Sequence, residues 1–152
     1  CGCLGSLDLS ENCLGAAGVG AVGQQTSLTW LSLRGCGIGD AGVSVLLGAL
    51  RALKNLKHLD LARNLVRDPG ARAVCLALDP APSSAFPTMA GFKALTELDL
   101  SGNEIRTDGG RLLREMLAKR VSSPLRLAMV GNDVDPKAAR SVHKQCSMPV
   151  YY

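Results

Sequence analysis

The sequence predicts an α/β solenoid, a curved stack of about five parallel strands with helices on its convex side. Three observations predict it: a pattern of apolar residues that recurs along the chain, a small residue at a fixed distance behind it, and a helical apolar stripe after that. The clearest copy of the pattern reads Leu-x-x-Leu-x-Leu-x-x-Asn-x-Ile at residues 95–105. The other copies are residues 4–14, 28–38, 56–66 and 124–134.

Each copy predicts a short strand that ends in a tight turn. Its leucines follow the two-residue period of a strand, and one strand cannot bury its apolar face without neighbouring coils. Asparagine suits the turn because its side chain both donates and accepts hydrogen bonds, which satisfies backbone groups that the turn leaves without partners. The predicted ladder consists of Asn12, Cys36, Asn64, Asn103 and Asn132. Since a thiol is only a weak donor, the ladder is expected to be softest at Cys36.

The spacing of the ladder positions predicts the helices. Successive positions are 24, 28, 39 and 29 residues apart, and values of 28 and 29 are typical of coils that carry a full α-helix. The first spacing is shorter by about one helical turn, so the first helix is expected to be short. Residues 79–89, with three prolines and paired serines, account for the long third spacing and are predicted to form a surface insertion.

Small residues and capping residues mark where each helix begins. Six positions beyond the ladder, where a small side chain would let the helix start lie close to its strand, the chain has Gly18, Gly42, Gly70, Gly109 and Ala138. The predicted N-caps, each for its own helix, are Asp40, Asp68, Asp135 and either Thr107 or Asp108. Pro69 and Pro136 are predicted at first helical positions. The apolar stripes that follow are Val43, Leu46, Leu47 and Leu50, then Ala71, Val74, Cys75 and Leu78, then Leu112, Leu113, Met116 and Leu117.

The repeated strand, turn, glycine and cap positions resemble the leucine-rich repeat family, and within it the ribonuclease-inhibitor-like subclass. The resemblance covers the chain from Leu4 to about Val142. It implies a segment of a horseshoe whose sheet lines the concave side, and recognition of other proteins through that sheet and its edges. Cysteine is a usual alternative to asparagine in this subclass, so Cys36 is a mild departure. We expect no cofactor and no small-molecule substrate.

Side chains between the strand leucines are predicted to form three columns on the concave side. The columns are Ser6, Trp30, His58, Glu97 and Arg126; Asp8, Ser32, Asp60, Asp99 and Ala128; and Ser10, Arg34, Ala62, Ser101 and Val130. An exposed Trp30 flanked by Arg34 and His58 is the kind of anchor that dominates protein interfaces. The candidate partner-binding residues are Trp30, Arg34, His58, Asp60, Glu97, Asp99 and Arg126. For the aspartates, the alternative is that they only solvate the strands.

Composition and motifs argue against other classes of function. The formal charge is +4 and only 3% of residues are aromatic, so the concentrated basic and aromatic surface of a nucleic-acid-binding protein is not indicated. No apolar run reaches the roughly 18 residues of a membrane span. His58 and Asp60 would lie on an open sheet without an implied pocket, so catalysis is not expected. The six cysteines include no CxxC pair, which argues against a metal site and for reduced thiols in the cytoplasm.

The sequence therefore predicts one non-catalytic domain over residues 1–152 that binds another protein. We expect it to be part of a longer receptor or scaffold, or a subunit docked in a large assembly, because the strand at Leu4 leaves no room for an N-terminal cap. Residues 146–152 would cap the last coil or form a docking tail. The alternative functions are regulation of a small GTPase and ligand sensing in a nucleotide-binding immune receptor. Inhibition of a ribonuclease would need a longer horseshoe than five coils.

Overall fold

The computed structural model describes residues 4–78, 93–120 and 124–135 of the chain. Its strands are β1 (Ser6–Asp8), β2 (Trp30–Ser32), β3 (His58–Asp60), β4 (Glu97–Asp99) and β5 (Arg126–Ala128). They form one parallel sheet in the order β1-β2-β3-β4-β5, and we number the coils 1 to 5 after them. Leu31 pairs with Leu59, and Leu59 pairs with Leu98, in the register that the repeat predicts. The predicted α/β solenoid is confirmed.

Four helices connect the strands of this sheet within the described residues. They are α1 (Gly15–Gly18), α2 (Gly39–Ala49), α3 (Asp68–Leu78) and α4 (Thr107–Lys119). The first helix has four residues and continues as a 3₁₀ helix at Val19–Gln24, which confirms that it is short. The helices pack in sequence, α1 on α2, α2 on α3 and α3 on α4. The predicted insertion, the tail, Pro136 and Ala138 lie outside the described residues.

The core lies between the sheet and the helices. In coils 2, 3 and 4 the leucines at the fourth and sixth positions of the repeat are at most 2% exposed: Leu31, Leu33, Leu59, Leu61, Leu98 and Leu100. The predicted helix stripes supply the opposite wall, except that Leu112 and Leu117 of α4 are only partly buried. Because each coil buries its apolar residues against its neighbours, stability resides in the interfaces between coils rather than in any one coil.

The asparagine ladder ties each inner coil to the preceding one. Asn64 Oδ1 accepts a hydrogen bond from the backbone N–H of Cys36 at 2.9 Å, and its Nδ2 donates to the carbonyl oxygen of Leu33 at 2.8 Å. Asn103 makes the equivalent bonds in the next coil. Asn132 Oδ1 accepts from the backbone N–H of Ile105, two residues beyond the ladder, and its Nδ2 donates to the carbonyl oxygen of Leu100. Each side chain therefore satisfies donors and acceptors that the preceding turn leaves open.

Cys36 fills the ladder position of coil 2 with a thiol. Its Sγ donates to the carbonyl oxygen of Leu9 at 3.0 Å, which replaces one of the asparagine contacts. Burial raises the pKa of the Cys36 thiol, so the sulfur keeps its proton at neutral pH. In coil 1, Asn12 is exposed and donates to the carbonyl oxygens of Leu9 and Ser10 in its own turn. The expected softness at Cys36 stays a prediction.

The prediction that Asp40 and Asp68 cap their own helices was wrong. Asp40 lies in the first turn of α2, and its Oδ1 accepts the backbone N–H groups of Arg67 (2.8 Å) and Gly70 (2.9 Å) at the start of α3. Asp68 caps α4 in the same way. The helix starts of neighbouring coils lie side by side, so a carboxylate in one first turn reaches the unpaired N–H groups of the next.

The glycines make room both for these carboxylates and for the close approach of the helix start to the strand turn that the sequence predicts. A Cβ atom on Gly70 would lie 2.7 Å from Val66 Cγ1, the last apolar residue of the repeat pattern. A Cβ atom on Gly70 would lie 2.5 Å from Asp40 Oδ1, and one on Gly109 would lie 2.5 Å from Asp68 Oδ1. The glycine therefore makes room for the carboxylate of the preceding coil. In coil 1 the residue at the position of these aspartates is Ala16, and no side chain caps α2.

Candidate protein-binding face

One concave column runs without a break across four strands. The register pairs Trp30 with His58, His58 with Glu97, and Glu97 with Arg126, and we call these four residues the first column. Successive side chains of a strand point to opposite faces, and the leucine that follows each of these residues is buried. All four side chains therefore face the concave side, which confirms the predicted column.

Trp30 and His58 stack with their rings nearly parallel. The ring centroids are 5.6 Å apart and the planes differ by 13°. Parallel pairing places the two residues about 4.8 Å apart between strands, which brings their rings together. Such pairs contribute about 0.5–1.5 kcal/mol beyond the area that they bury. The stack leaves Trp30 half-buried, which corrects the expectation of an exposed indole.

Glu97 joins the aromatic half of the column to Arg126. Its Oε2 accepts a hydrogen bond from His58 Nδ1 at 2.8 Å, and its Oε1 accepts one from the Arg126 guanidinium at 3.2 Å. The bond from His58 is the main cause that lowers the pKa of Glu97, and partial burial opposes it. A carboxylate only accepts, so the imidazole carries a proton on Nδ1. Since the Glu97 side chain is 42% exposed, these bonds orient the side chains more than they stabilise the fold.

The aspartates of the second column bind the backbone. In Asp8, Asp60 and Asp99, Oδ1 accepts the N–H group two residues further along at 2.8–2.9 Å. A hydrogen bond from the Ser10 hydroxyl lowers the pKa of Asp8, and Asp60 accepts a hydrogen bond from Ser32 at 3.3 Å. These bonds fix the strand ends, which favours the alternative that the aspartates serve the strands. A contact of Asp60 or Asp99 with a partner stays a prediction.

Arg34 lies in a different part of the face from the first column. It follows Trp30 by four residues in coil 2, roughly 13 Å at the rise of a strand, and it is half-buried. It belongs to the third column, where Val130 of coil 5 is 48% exposed. The sequence prediction placed both Arg34 and His58 beside the indole, and the structure shows the contact with His58.

A shallow depression of about 220 Å³ opens at the charged end of the first column. It is lined by His58, Glu97, Leu98, Asp99, Arg126, Leu127 and Ala128. This lining combines a carboxylate–guanidinium pair with a short apolar floor, and it contains no hydroxyl or thiol beside a base. It can accept a side chain from a partner, but it does not have the nucleophile and base of a hydrolytic site.

Two ion pairs that the predicted columns do not include lie at the edge where the strands pass into the helices. Arg67 Nε donates to Glu104 Oε2 at 2.7 Å, and Arg106 pairs with Asp133 at 3.8 Å. These four side chains border a cleft of about 750 Å³ between coils 3, 4 and 5. The two ion pairs repeat with the coils, because Arg67 and Arg106 each lie three positions beyond the ladder residue of their coil. Glu104 and Asp133 each lie one position beyond the ladder residue of the following coil, so counting along the repeat could have paired them. The two pairs are at least 47% exposed, and their opposite charges largely cancel.

In the described part of the chain, Cys13 carries an exposed free thiol and Cys36 a buried one, and Cys75 is buried as well. Among the same residues, no group of three or more His, Cys, Asp or Glu side chains is arranged to hold a metal ion. None of the helices in these ranges combines the length and apolar character needed to cross a membrane.

The family model for the Leucine Rich repeat matches residues 3–23, 24–47, 52–75 and 94–113. The chain belongs to the leucine-rich repeat family. Two ribonuclease inhibitors are among its relatives: that of Sus scrofa is 35% identical over 138 residues, and that of Mus musculus is 33% identical over 136 residues. These matches cover 76% and 72% of this chain, and they confirm that its repeats are of the ribonuclease-inhibitor-like kind.

A third relative is NACHT, LRR and PYD domains-containing protein 13 of Homo sapiens, 33% identical over 147 residues and matched over 82% of this leucine-rich repeat chain. The chain spans 14% of that protein and 30% and 29% of the two inhibitors, so it corresponds to less than a third of each relative. An internalin from Listeria monocytogenes is similar over 98% of this chain and 48% of its own, at 14% identity and a TM-score of 0.39. Leucine-rich repeat domains are protein-interaction modules, and this chain is one in that general sense.

Proposed function

We propose that the chain is a non-catalytic binding module of a longer protein and that it holds a partner protein against the concave sheet. The residues that carry the contact are those of the first column, Trp30, His58, Glu97 and Arg126. Arg34, Asp60 and Asp99 flank it in the neighbouring columns. The proposed module is a single domain over residues 1–152, and it needs no cofactor and no small-molecule substrate.

The continuous contact along the first column is the observation that supports this proposal. The stack holds Trp30 against His58, and Glu97 holds His58 and Arg126 through its two oxygens. Ordering a long side chain at an interface costs about 0.5–1.5 kcal/mol, and here the side chains are ordered before a partner arrives. Tryptophan and arginine are also the residue types that most often dominate interface energies.

Free thiols at Cys13 and Cys36 support a reducing, cytoplasmic compartment as part of the same proposal. The similarity to ribonuclease inhibitors does not extend to their activity here, because the chain spans 30% of one and 29% of the other. The partner is therefore proposed only as another protein, which the chain meets alone or within a larger assembly.

Substitution of the anchor tests the proposal. A partner is first captured with the full chain as bait and identified, and its affinity is then measured by calorimetric titration. Trp30→Ala is expected to weaken the binding free energy by about 2 kcal/mol or more, because it removes the indole and the surface that His58 stacks against. Arg126→Glu is expected to weaken binding through the other end of the column.

Matched controls lie on the convex side. Val45→Ala shortens an exposed apolar side chain of α2, and Arg51→Glu reverses an exposed charge just after that helix. Neither is expected to change the affinity for a partner of the concave face. Equal affinity of Trp30→Ala and the unsubstituted chain, with both folded, would reject the concave anchor.

A second candidate is the ligand-sensing arm of a nucleotide-binding immune receptor. The match to NACHT, LRR and PYD domains-containing protein 13 favours it, since the name of that protein joins a leucine-rich repeat region to two other domains. The sequence of the full-length gene product tests it: flanking domains of those kinds would support the receptor arm. A chain in which other domains flank the repeats would reject it and leave the general binding role. Regulation of a small GTPase is tested separately, by the hydrolysis rate with and without the chain.

A further inference from the structure

Helix α2 is apolar on nearly every side, although one side faces outward. Of its eleven residues only Asp40 is charged, and that carboxylate is bound to the start of α3. The outward positions of the helix are Ala41, Ser44, Val45 and Gly48. Helices that are apolar all round are normally covered all round, so this outer surface is unusual for a helix facing water.

A groove runs between α2 and α3 on this convex side. It has a volume of about 140 Å³ and is lined by Ser44, Leu47, Gly48, Arg51, Ala73, Leu76 and Ala77. Leu76 is 38% exposed, and Val45 on the neighbouring helix is 46% exposed. A Cβ atom on Gly48 would meet nothing within 4 Å, so the groove is open above that residue.

Among the described residues, the charged side chains around the groove are all positive. Arg51 follows α2, Lys54 comes three residues later, and Arg72 lies one helical turn before Leu76, all of them exposed. Between residues 41 and 59, and between 69 and 78, the sequence contains no Asp or Glu. Negative charge on an occupant of the groove would therefore be attracted by the cations Arg51, Lys54 and Arg72.

The outer surface of α4 is different. Arg111 forms an ion pair with Glu115 at 3.7 Å, and Lys119 is exposed one turn further along. Charges of both signs alternate on that helix, as on an ordinary solvated surface. The apolar groove with its basic rim is therefore a property of coils 2 and 3 and not of the convex side in general.

We infer that this groove docks an acidic amphipathic helix of a partner protein. Apolar side chains at every third or fourth position of that helix would fill the groove beside Leu76 and Gly48, and flanking Glu or Asp side chains would pair with Arg51 and Arg72. A second copy of the chain fits less well, because it presents the same cations to the rim and carries a net charge of +4. The site lies on the face opposite the first column, so it is a second binding surface beyond the proposed function.

Binding of a designed probe tests this inference with the full 152-residue chain. The probe is a fluorescein-labelled helical peptide of about 18 residues with Leu at positions i, i+3, i+4 and i+7 and Glu elsewhere. Its counterpart has Lys in place of every Glu. Fluorescence anisotropy is expected to show binding of the Glu peptide, weakened at least about tenfold by added salt or by the Lys substitution.

Two variants locate the site. Leu76→Glu places a carboxylate in the groove, and Arg51→Glu reverses the rim charge at an exposed position that the fold does not need. Each substitution is expected to weaken the affinity of the chain for the Glu peptide at least about tenfold. The matched controls on α4 are Ala118→Glu and Arg111→Glu, both exposed, which are expected to leave the affinity within about twofold. Circular dichroism verifies that each variant is folded.

Several results would overturn the inference. Equal affinity for the Glu and Lys peptides would exclude selection by charge, and equal losses in the α4 variants would place the site elsewhere. Cosedimentation of the chain with phosphatidylserine vesicles, without binding of the Glu peptide, would make the groove a membrane contact. Concentration-dependent dimerisation in sedimentation velocity, abolished by Leu76→Glu, would make its occupant a second copy. Loss of concave-face binding in Trp30→Ala does not bear on any of these outcomes.

Discussion

Two interfaces of the solenoid use the same positions of the repeat with different residues. Between coils 3 and 4, Asn103 accepts two backbone hydrogen bonds from coil 3 and donates one back to it, and Asp68 caps α4. Between coils 1 and 2, Cys36 donates one thiol hydrogen bond to coil 1, and Ala16 offers no cap. The hydrophobic stacking continues through both interfaces, so the polar side chains make the difference.

This difference shows how a repeat can be stable as a whole and uneven along its length. Stability in a solenoid is close to a sum of coil and interface contributions, so the interface with fewer polar bonds opens at lower free energy. Coil 1 also buries its leucines less completely, since Leu7, Leu9 and Leu14 are only partly buried. We therefore expect opening to begin at coil 1 and to reach the interface of coils 3 and 4 only on global unfolding.

Asn103→Ala is expected to cause the largest loss in unfolding free energy. The substitution leaves the backbone N–H groups of Asn64 and Val66 without their acceptor, in a place that is about 5% exposed. Each buried group left unsatisfied costs about 1–3 kcal/mol, so the loss in unfolding free energy should be about 3 kcal/mol or more. Urea unfolding measures it, with Asn12→Ala as the exposed control from coil 1, expected to lose less than about 1 kcal/mol. Similar losses in both variants would contradict the unevenness of the ladder.

Asp68→Ala is expected to have the next largest effect. It removes the acceptor for two N–H groups at the start of α4, and the loss of a cap typically costs about 0.5–2 kcal/mol. Hydrogen exchange should show faster exchange at Arg106 and Gly109, while the amides of coil 1 keep their rates. Unchanged exchange at both amides would show that Asp68 does not act across the interface.

The contrast between these positions also shows what the sequence could predict. The columns and the ladder follow from a fixed register, so positions such as Trp30 and His58 could be placed side by side from counting alone. Which helix each aspartate caps could not be predicted from the sequence. An Asp at the start of a helix has the same position in the repeat whether it caps its own helix or the next one. Asp40 acts on α3 only because the helices stack, which is a property of the assembled coils.

The ion pairs in the turns could have been found by the same counting, whereas the burial of a single ring could not. Arg67 and Glu104 occupy the same repeat positions as Arg106 and Asp133, one coil earlier. Counting placed Trp30 beside His58, but it did not show that the two rings stack and leave the indole half-buried. Its stacking partner comes from the next coil, and both the stack and the Glu97 bridge depend on the rotamers that the sheet spacing allows.

A small gain in unfolding free energy is expected when an acidic capping residue is introduced at position 16 of coil 1. In Ala16→Asp the new carboxylate would lie where Asp40 lies for the next coil, close to the N–H groups at the start of α2. The gain in unfolding free energy should be only about 0.5 kcal/mol, because the Gly39 N–H already donates to the Asn64 carbonyl oxygen at 2.8 Å. Slower exchange of the amides of coil 1 would accompany it. A loss of stability would mean that the close approach of Ala16 and Gly42 leaves no room for the carboxylate.

The smallest effect is expected from Glu97→Gln, and it depends on pH. Glu97 bridges coils 3, 4 and 5, whereas the same column position in coil 1 is Ser6. Its pKa is lowered in the folded chain, chiefly by the hydrogen bond from His58, while an unfolded glutamate titrates near about 4.3. Between these values the unfolded state binds more protons, so stability rises with pH. The contribution is complete above the unfolded pKa and is lost as pH falls through the folded pKa.

Urea midpoints of the two proteins, measured from pH 7 down to pH 3, should therefore converge at the acid end. The separation at neutral pH should be small, because the Glu97 side chain is 42% exposed and solvent screens its charge. Glu115→Gln, which alters an exposed ion pair on α4, serves as the control for loss of one carboxylate. Curves for Glu97→Gln that run parallel to the unsubstituted chain over the whole range would show that the bridge contributes no acid-sensitive stability. The inner interfaces would then differ from the first only in their neutral bonds and caps.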